Sequence, residues 1–189
     1  LMVIFIIVLS LIDIFRINHR GETYQEMQNI KQLFQKPEYV SAIESLNDKS
    51  VFRILNLKQD GSLGSIQQNS NFNAYFLLQD LYGYSGIKPR AYQDYMDILG
   101  SPANATLWRM ANVKYLILDN PVSMAGLNPV YSGNKTFVYQ NTDALPRAYF
   151  VNSVQKATAI EILNKVKNNQ FDPKEIAFVE DADIKVDKP

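Results

Sequence analysis

Cysteine is absent from the chain, and histidine occurs once, at His19. The first absence removes disulfide frameworks, thiol nucleophiles and thiolate zinc sites together. The second leaves no pair of imidazoles to share a metal, and any Ser-His-Asp site would have to be built on His19. An excess of charge is also missing. The 19 basic residues balance 19 acidic ones, so no global field steers the protein onto nucleic acid or an anionic surface. The phosphate-cradling G-x-x-x-x-G-K-[ST], the dinucleotide fingerprint G-x-G-x-x-G, the nucleophile elbow G-x-S-x-G and the zinc motif H-E-x-x-H do not occur. No catalytic residue, metal ligand or cofactor is therefore assigned.

One long hydrophobic run is present, at the N-terminus. "LMVIFIIVLSLIDIF" is apolar from Leu1 to Phe15 apart from Ser10 and Asp13. A bilayer core takes roughly 20 apolar residues of helix, and about 10–14 more often mark a signal segment or a buried helix. No basic segment precedes the run and no small-residue cleavage site follows it, which argues against a signal peptide. Residues 1–16 are expected to be the C-terminal part of a transmembrane helix that begins upstream. Arg16, His19 and Arg20 follow, and the positive-inside tendency by itself places them on the cytoplasmic side. Residues 17–50 are read as a linker with a short helix, and residues 51–189 as a globular domain.

Periodicity divides that domain. After Pro37, the residues Tyr39, Val40, Ile43 and Leu46 recur at helical spacing. "VFRILNL" (Val51 to Leu57) reads as a strand with Val51, Ile54 and Leu55 inward and Arg53 outward. A polar stretch from Lys58 to Asn73 reads as a long loop. Pro89 opens a helix with Tyr92, Tyr95, Met96 and Leu99 on one stripe, and Gly100 closes it. "LWRMAN" is a short helix burying Leu107 and Met110, and "VKYLILD" is a central strand. A hairpin spans residues 128–141, turning at Ser132, Gly133 and Asn134. "RAYFV" (Arg147 to Val151) and "IAFVE" (Ile176 to Glu180) read as further strands. Between them, Thr158 and Glu161 form a capping box for a helix using Ile160, Leu163 and Val166. The fold class is α+β, a mixed β-sheet with flanking helices. The tail "DADIKVDKP" stops at a proline with no terminating element, so the domain is expected to continue beyond it.

The candidate binding surface lies in "LYGYSGIKPRAYQDYMDILG", Leu81 to Gly100. Tyr92 and Tyr95 share the apolar stripe and are expected to pack. Tyr82 and Tyr84 precede the helix in irregular backbone beside Lys88 and Arg90. Tyrosine rings can stack on a sugar while their hydroxyls and a guanidinium bind hydroxyl or phosphate groups. Tyr82, Tyr84, Lys88 and Arg90 are therefore the candidate substrate-binding residues, against the alternative that the rings pack over a sheet edge. Asp94 and Asp97, three apart on one helix face, read as solvated acids. Glu180, Asp181 and Asp183 read as a hydrated strand exit, and the sequons at Asn104 and Asn134 carry no functional weight.

The succession of "VFRILNL", "LYGYSGIKPRAYQDYMDIL", "LWRMANVKYLILDNP", "FVYQNTDALPRAYFVNSV" and "FDPKEIAFVE" resembles the extracytoplasmic region of bacterial YfhO-type membrane proteins. "NVKYLI" with "ALPRAYFV" is the most specific part, and "DIFRINHR" resembles how that family leaves its membrane helix. The resemblance implies a polytopic protein similar to the C-type (GT-C) glycosyltransferases, which transfer a sugar carried on polyprenyl phosphate to an envelope glycan acceptor. It implies a domain on the extracytoplasmic side of the bacterial cytoplasmic membrane. The family's presumed catalytic acid lies in an early loop that this sequence lacks, so no catalytic residue carries over. The alternative is a non-catalytic structural or interaction module of an envelope membrane protein.

Overall fold

The computed structural model describes residues 2–19, 34–64, 71–83 and 86–180, in two units, Leu1–Gln35 and Lys36–Pro189. The first unit holds helix α1 (Met2–His19). Its apolar residues fall on every face, and all of the described side chains from Met2 to Ile17 are exposed. Phe15 is 75% exposed, and even Val8, among the more covered, is 46%. A helix that is apolar all round is ordinarily surrounded by apolar material. At 1.5 Å per residue α1 is about 27 Å long, against roughly 30 Å for a bilayer core. Among the described residues no helix is long and apolar enough to cross a membrane.

The second unit is α+β. Its sheet comprises β1 (Arg53–Leu57), β2 (Val113–Leu118), β3 (Leu127–Gly133) and β4 (Thr136–Asn141), in the order β1-β2-β4-β3. β1 and β2 run parallel, with Ile54 opposite Tyr115 and Leu57 opposite Leu118, and the other pairs are antiparallel. Among the described residues four α-helices accompany this sheet: α2 (Glu38–Ser45), α3 (Arg90–Leu99), α4 (Ala105–Met110) and α5 (Ala159–Lys167). A second, two-stranded parallel sheet pairs β5 (Ser153–Lys156) with β6 (Ile176–Val179).

Alternation along β2 makes two cores. Leu116 and Leu118 join Leu55, Leu57, Leu107 and Val166 in one cluster. Tyr115 and Ile117 join Ile54, Val138 and the α2 residues Tyr39, Val40 and Ile43 in the other. Helix α2, expected within the connecting segment, thus supplies one of the sheet's two cores, lying against β3 and β4. Each fully buried aliphatic side chain contributes about 1.5–3 kcal/mol. The other face is covered by α4 against β2, and α5 touches α3 and α4.

Local chemistry sets the helix ends. Gly100 ends α3 at φ 65°, where a side chain would be strained. Thr158 and Glu161 form the expected capping box on α5. Asn104 caps α4 by accepting from Leu107 N at 2.7 Å, while its Nδ2 donates to Val166 O at 3.0 Å and Lys167 O at 3.1 Å. This sequon asparagine therefore ties the start of α4 to the end of α5.

Several expectations are corrected. Val51 is 60% exposed, and Arg53, expected outward, is half-buried. Met110, Leu46 and Ile160 are exposed, whereas Trp108 takes the inward position on α4. The hairpin turns at Asn134 and Lys135, with Lys135 at φ 57°. "RAYFV" is not a strand. Phe150 is 94% exposed, and pairing starts only where Asn152 N and Ser153 N both donate to Glu175 O. Arg147 is instead held sideways by Asn112 Oδ1 and Gln79 Oε1, which takes the chain out of strand register.

A partly buried acid fixes the approach to β1. Asp48 Oδ2 accepts from Lys114 Nζ at 2.5 Å and Tyr115 OH at 2.9 Å, and Oδ1 accepts from Ser50 N at 3.0 Å. Burial alone would push this carboxyl up, but the hydrogen bonds from Lys114, Ser50 and Tyr115 outweigh it and hold the group well below the usual range. A depressed folded-state pKa stabilises above the unfolded value of about 3.9, and that stability is lost as pH falls toward the folded value. The Asp48→Asn protein should unfold at lower urea concentration than wild type at pH 6, and the gap should shrink below about pH 4. A gap constant down to pH 2.5 would refute this role.

Candidate functional site

The long connection from β1 to β2 carries the tyrosine-rich segment past the edge of β1. Ile54 N donates to Gln79 O at 2.8 Å and Leu81 N to Ile54 O at 3.0 Å, so residues 79–81 run alongside β1 like a short added strand. Leu81 is buried, and the chain leaves the sheet at Tyr82. Helix α3 then folds back, and Tyr92 OH donates to Leu81 O at 2.7 Å, closing the loop on itself.

Between this loop and α3 lies a cleft of about 220 Å³, whose walls include Tyr82, Lys88, Tyr92, Gln93, Met96 and Asp97. Tyr82 is half-buried against the main core cluster and still faces the cleft. Lys88 is exposed at the rim. Gln93 Nε2 donates to Asp97 Oδ1 at 2.6 Å, one helical turn away. The described cleft thus offers two phenols, an amide, a carboxylate and an ammonium around an apolar floor from Leu63 and Met96.

Burial pushes the Tyr82 hydroxyl up to about 12, with Tyr92 beside it adding to the effect. Burial also raises Tyr92, against an opposing pull from the Arg53 charge. Tyr95 is raised by burial, and its OH lies 3.8 Å from Met110 Sδ. These phenols are neutral at physiological pH, so they act as hydrogen-bond donors and acceptors rather than as bases.

The four residues expected to bind substrate are placed differently. Tyr82 and Lys88 line the cleft together. Arg90 does not; its side chain is 93% exposed and its Nε lies 3.5 Å from Asp94 Oδ2. Tyr84 lies outside the described residues. Tyr92, expected only to pack, is half-buried and lines the cleft, Met96 both packs on the core cluster and lines it, and the exposed Asp97 lines it too. The signal was available for two of them: Tyr92 and Met96 are four apart, a spacing that shares one face of the helix entered at Pro89. The acids Asp94 and Asp97 do not act as a pair, since one meets Arg90 and the other Gln93.

The arrangement suits recognition of a polyhydroxylated group through hydrogen bonds and ring contacts. Among the described residues no cluster of three or more His, Cys, Asp or Glu is placed to hold a metal ion. Tyr92→Phe should lower stability by about 1 kcal/mol by leaving Leu81 O without its donor, read as a shift in the urea midpoint. An unchanged midpoint would show that the bond does not hold the cleft together. Comparison with known proteins gives no identity, because no protein-family model, no curated protein and no solved structure matches the chain.

Proposed function

We propose that the Lys36–Pro189 unit is an extracytoplasmic accessory domain of a YfhO-type polytopic protein, held at the bacterial cytoplasmic membrane by α1. The parent protein would resemble a GT-C glycosyltransferase. The domain would present the cleft of Tyr82, Lys88 and Tyr92 to an envelope glycan or to a sugar carried on polyprenyl phosphate. The observation that carries the membrane part is α1 itself, whose apolar side chains from Met2 to Ile17 are all exposed. Water does not favour such a surface, whereas lipid does. The sugar part is supported by the sequence resemblance and by the neutral phenols, amide and carboxylate of the cleft.

A second reading, a non-catalytic structural or interaction module, is favoured by one feature. Tyr82 packs on the main core cluster, and Arg90 turns away toward Asp94. On that reading the rings hold the fold and no glycan binds. The two readings separate in the parent protein: Lys88→Ala with Gln93→Ala should reduce glycan transfer several-fold under the first reading and leave it unchanged under the second, with the domain folded in both.

Membrane placement has its own test. The chain should float with phospholipid vesicles, and Ile6→Arg with Leu9→Arg should abolish this, since a charge at mid-helix costs about 2.5–3.5 kcal/mol. A chain that stays in the aqueous fraction would sink the proposal. Because the 189-residue chain has no cysteine, Lys156→Cys provides a unique label within it. A membrane-impermeant maleimide should modify it in intact spheroplasts, and labelling only after lysis would reverse the topology.

A further inference from the structure

The start of β1 and the turn after Pro146 bring two guanidinium groups onto the same Ala111–Asn112 turn. Arg53 Nη1 donates to Ala111 O at 2.7 Å. Arg147 Nε donates to Asn112 Oδ1 at 3.1 Å, and its Nη2 donates to Gln79 Oε1. All three acceptors are neutral, and neither arginine enters an ion pair among the described residues. After burial, the charge of Arg147 is the next cause holding Arg53 below its ordinary pKa. Two neighbouring positive charges repel, and no acidic side chain pairs with either among the described residues.

The groups around the pair are held firmly. Asn112 is buried, and its Nδ2 donates to Leu145 O at 2.8 Å. Its backbone sits at φ 59°, a region that side chains rarely adopt and where functional sites concentrate. Asn112 and Arg147 line a cleft of about 300 Å³ with Ser50 and Lys114. Lys114 is neutralised by Asp48 at 2.5 Å, so the uncompensated charge comes from the two arginines.

We propose that this cleft is an oxyanion site for a phosphate group, with Arg147 as the fork that holds it and Arg53 as the second charge behind it. Two guanidiniums match a phosphate monoester, which carries about −1.5 to −2 at neutral pH, better than a carboxylate. Arg147 is preorganised, because Asn112 and Gln79 hold two of its donors while its Nη1 has no partner among the described residues. A soluble phosphate ester and a lipid headgroup share this chemistry. The site depends neither on the membrane placement of α1 nor on the tyrosine cleft.

Titration of the full 189-residue chain in neutral detergent micelles with inorganic phosphate, at constant ionic strength, tests it by amide NMR shifts. Saturable shifts are expected at the amides of Ser50, Asn112 and Arg147, with affinity on the order of millimolar. Arg147→Lys keeps the charge but loses the fork, and should weaken binding about tenfold, whereas Lys58→Gln should not change it. Absence of saturable shifts in the wild type overturns the proposal, as does equal affinity in Arg147→Lys and wild type. The wild-type titration decides alone should the variant fail to fold. Methyl phosphate and bicelles containing phosphatidate then separate a soluble ester from a lipid headgroup, by which one shifts the same amides at lower phosphate concentration. Shifts with neither count against the site. Failure of the chain to float with vesicles would leave the phosphate titration unaffected, so the two ideas fail separately.

Discussion

The parallel pairing of β1 with β2 is the constraint from which the rest of the domain follows. Ile54 to Leu57 are all buried, and so are Tyr115 to Leu118 opposite them. A parallel pair buried on both faces demands an apolar layer on each side. One layer comes from α2, just ahead of β1 in the chain, and the other from α4 and α5. Parallel strands also cannot be joined by a tight turn. The chain must cross from Leu57 back to Val113, and this crossover contains residues 79–83, α3 and α4. The tyrosine cleft is thus built on the connection that the parallel pair requires. Its walls are tied to the sheet through Leu81 N to Ile54 O at one end and to α4 through Trp108 Nε1 to Pro102 O at the other.

Legibility in the sequence followed the range of the interaction. "VKYLIL" was readable as a central strand because burial on both faces leaves no polar alternation. The capping box at Thr158 and the Pro89-to-Gly100 frame of α3 were readable because each is complete within one or two helical turns. What failed depended on partners distant in the chain. "RAYFV" has strand composition, yet Arg147 is held by Asn112 and Gln79, and the partner strand meets the chain only at Ser153. Arg53 was placed outward by alternation, and a carbonyl at Ala111 draws its side chain partly inward. Within the candidate site, Tyr82 and Lys88 were readable from local composition. Arg90 was not, because a surface pairing with Asp94 at i,i+4 competes with any turn toward the cleft.

Packing and binding are not exclusive alternatives for the tyrosines. A ring half-buried against the core loses little further freedom when a ligand arrives, so the same burial that stabilises the fold lowers the entropic cost of recognition. Tyr92 illustrates this: its OH is committed to Leu81 O, which fixes the ring as a wall of the cleft. Tyr82 packs against the core and keeps a hydroxyl that remains protonated to about pH 12. With the phenols neutral, positive charge near the cleft must come from elsewhere. Lys88 supplies it at the rim, and Arg53 acts on Tyr92 from the start of β1.

The two units treat apolar surface in opposite ways, and that contrast constrains what α1 can be. In the Lys36–Pro189 unit most of the buried apolar side chains are gathered into two clusters around the sheet, and only isolated ones such as Leu77, Ile87 and Phe150 stand exposed among the described residues. In α1 the apolar side chains from Met2 to Ile17 stand exposed. Burying one such side chain is worth about 1.5–3 kcal/mol, so leaving the α1 set in water forfeits on the order of ten kcal/mol or more. That exceeds the net stability of many domains, which is about 5–15 kcal/mol. Intrinsic propensity does not offset it, since β-branched Ile and Val dominate the helix and an isolated helix of this length is marginal in water. Asp13 and Arg16 give α1 charged groups only toward its C-terminal end, so the apolar demand is greatest from Met2 to Ile12. An apolar medium that encloses the helix on all sides meets that demand, and a one-sided protein groove would leave part of it in water.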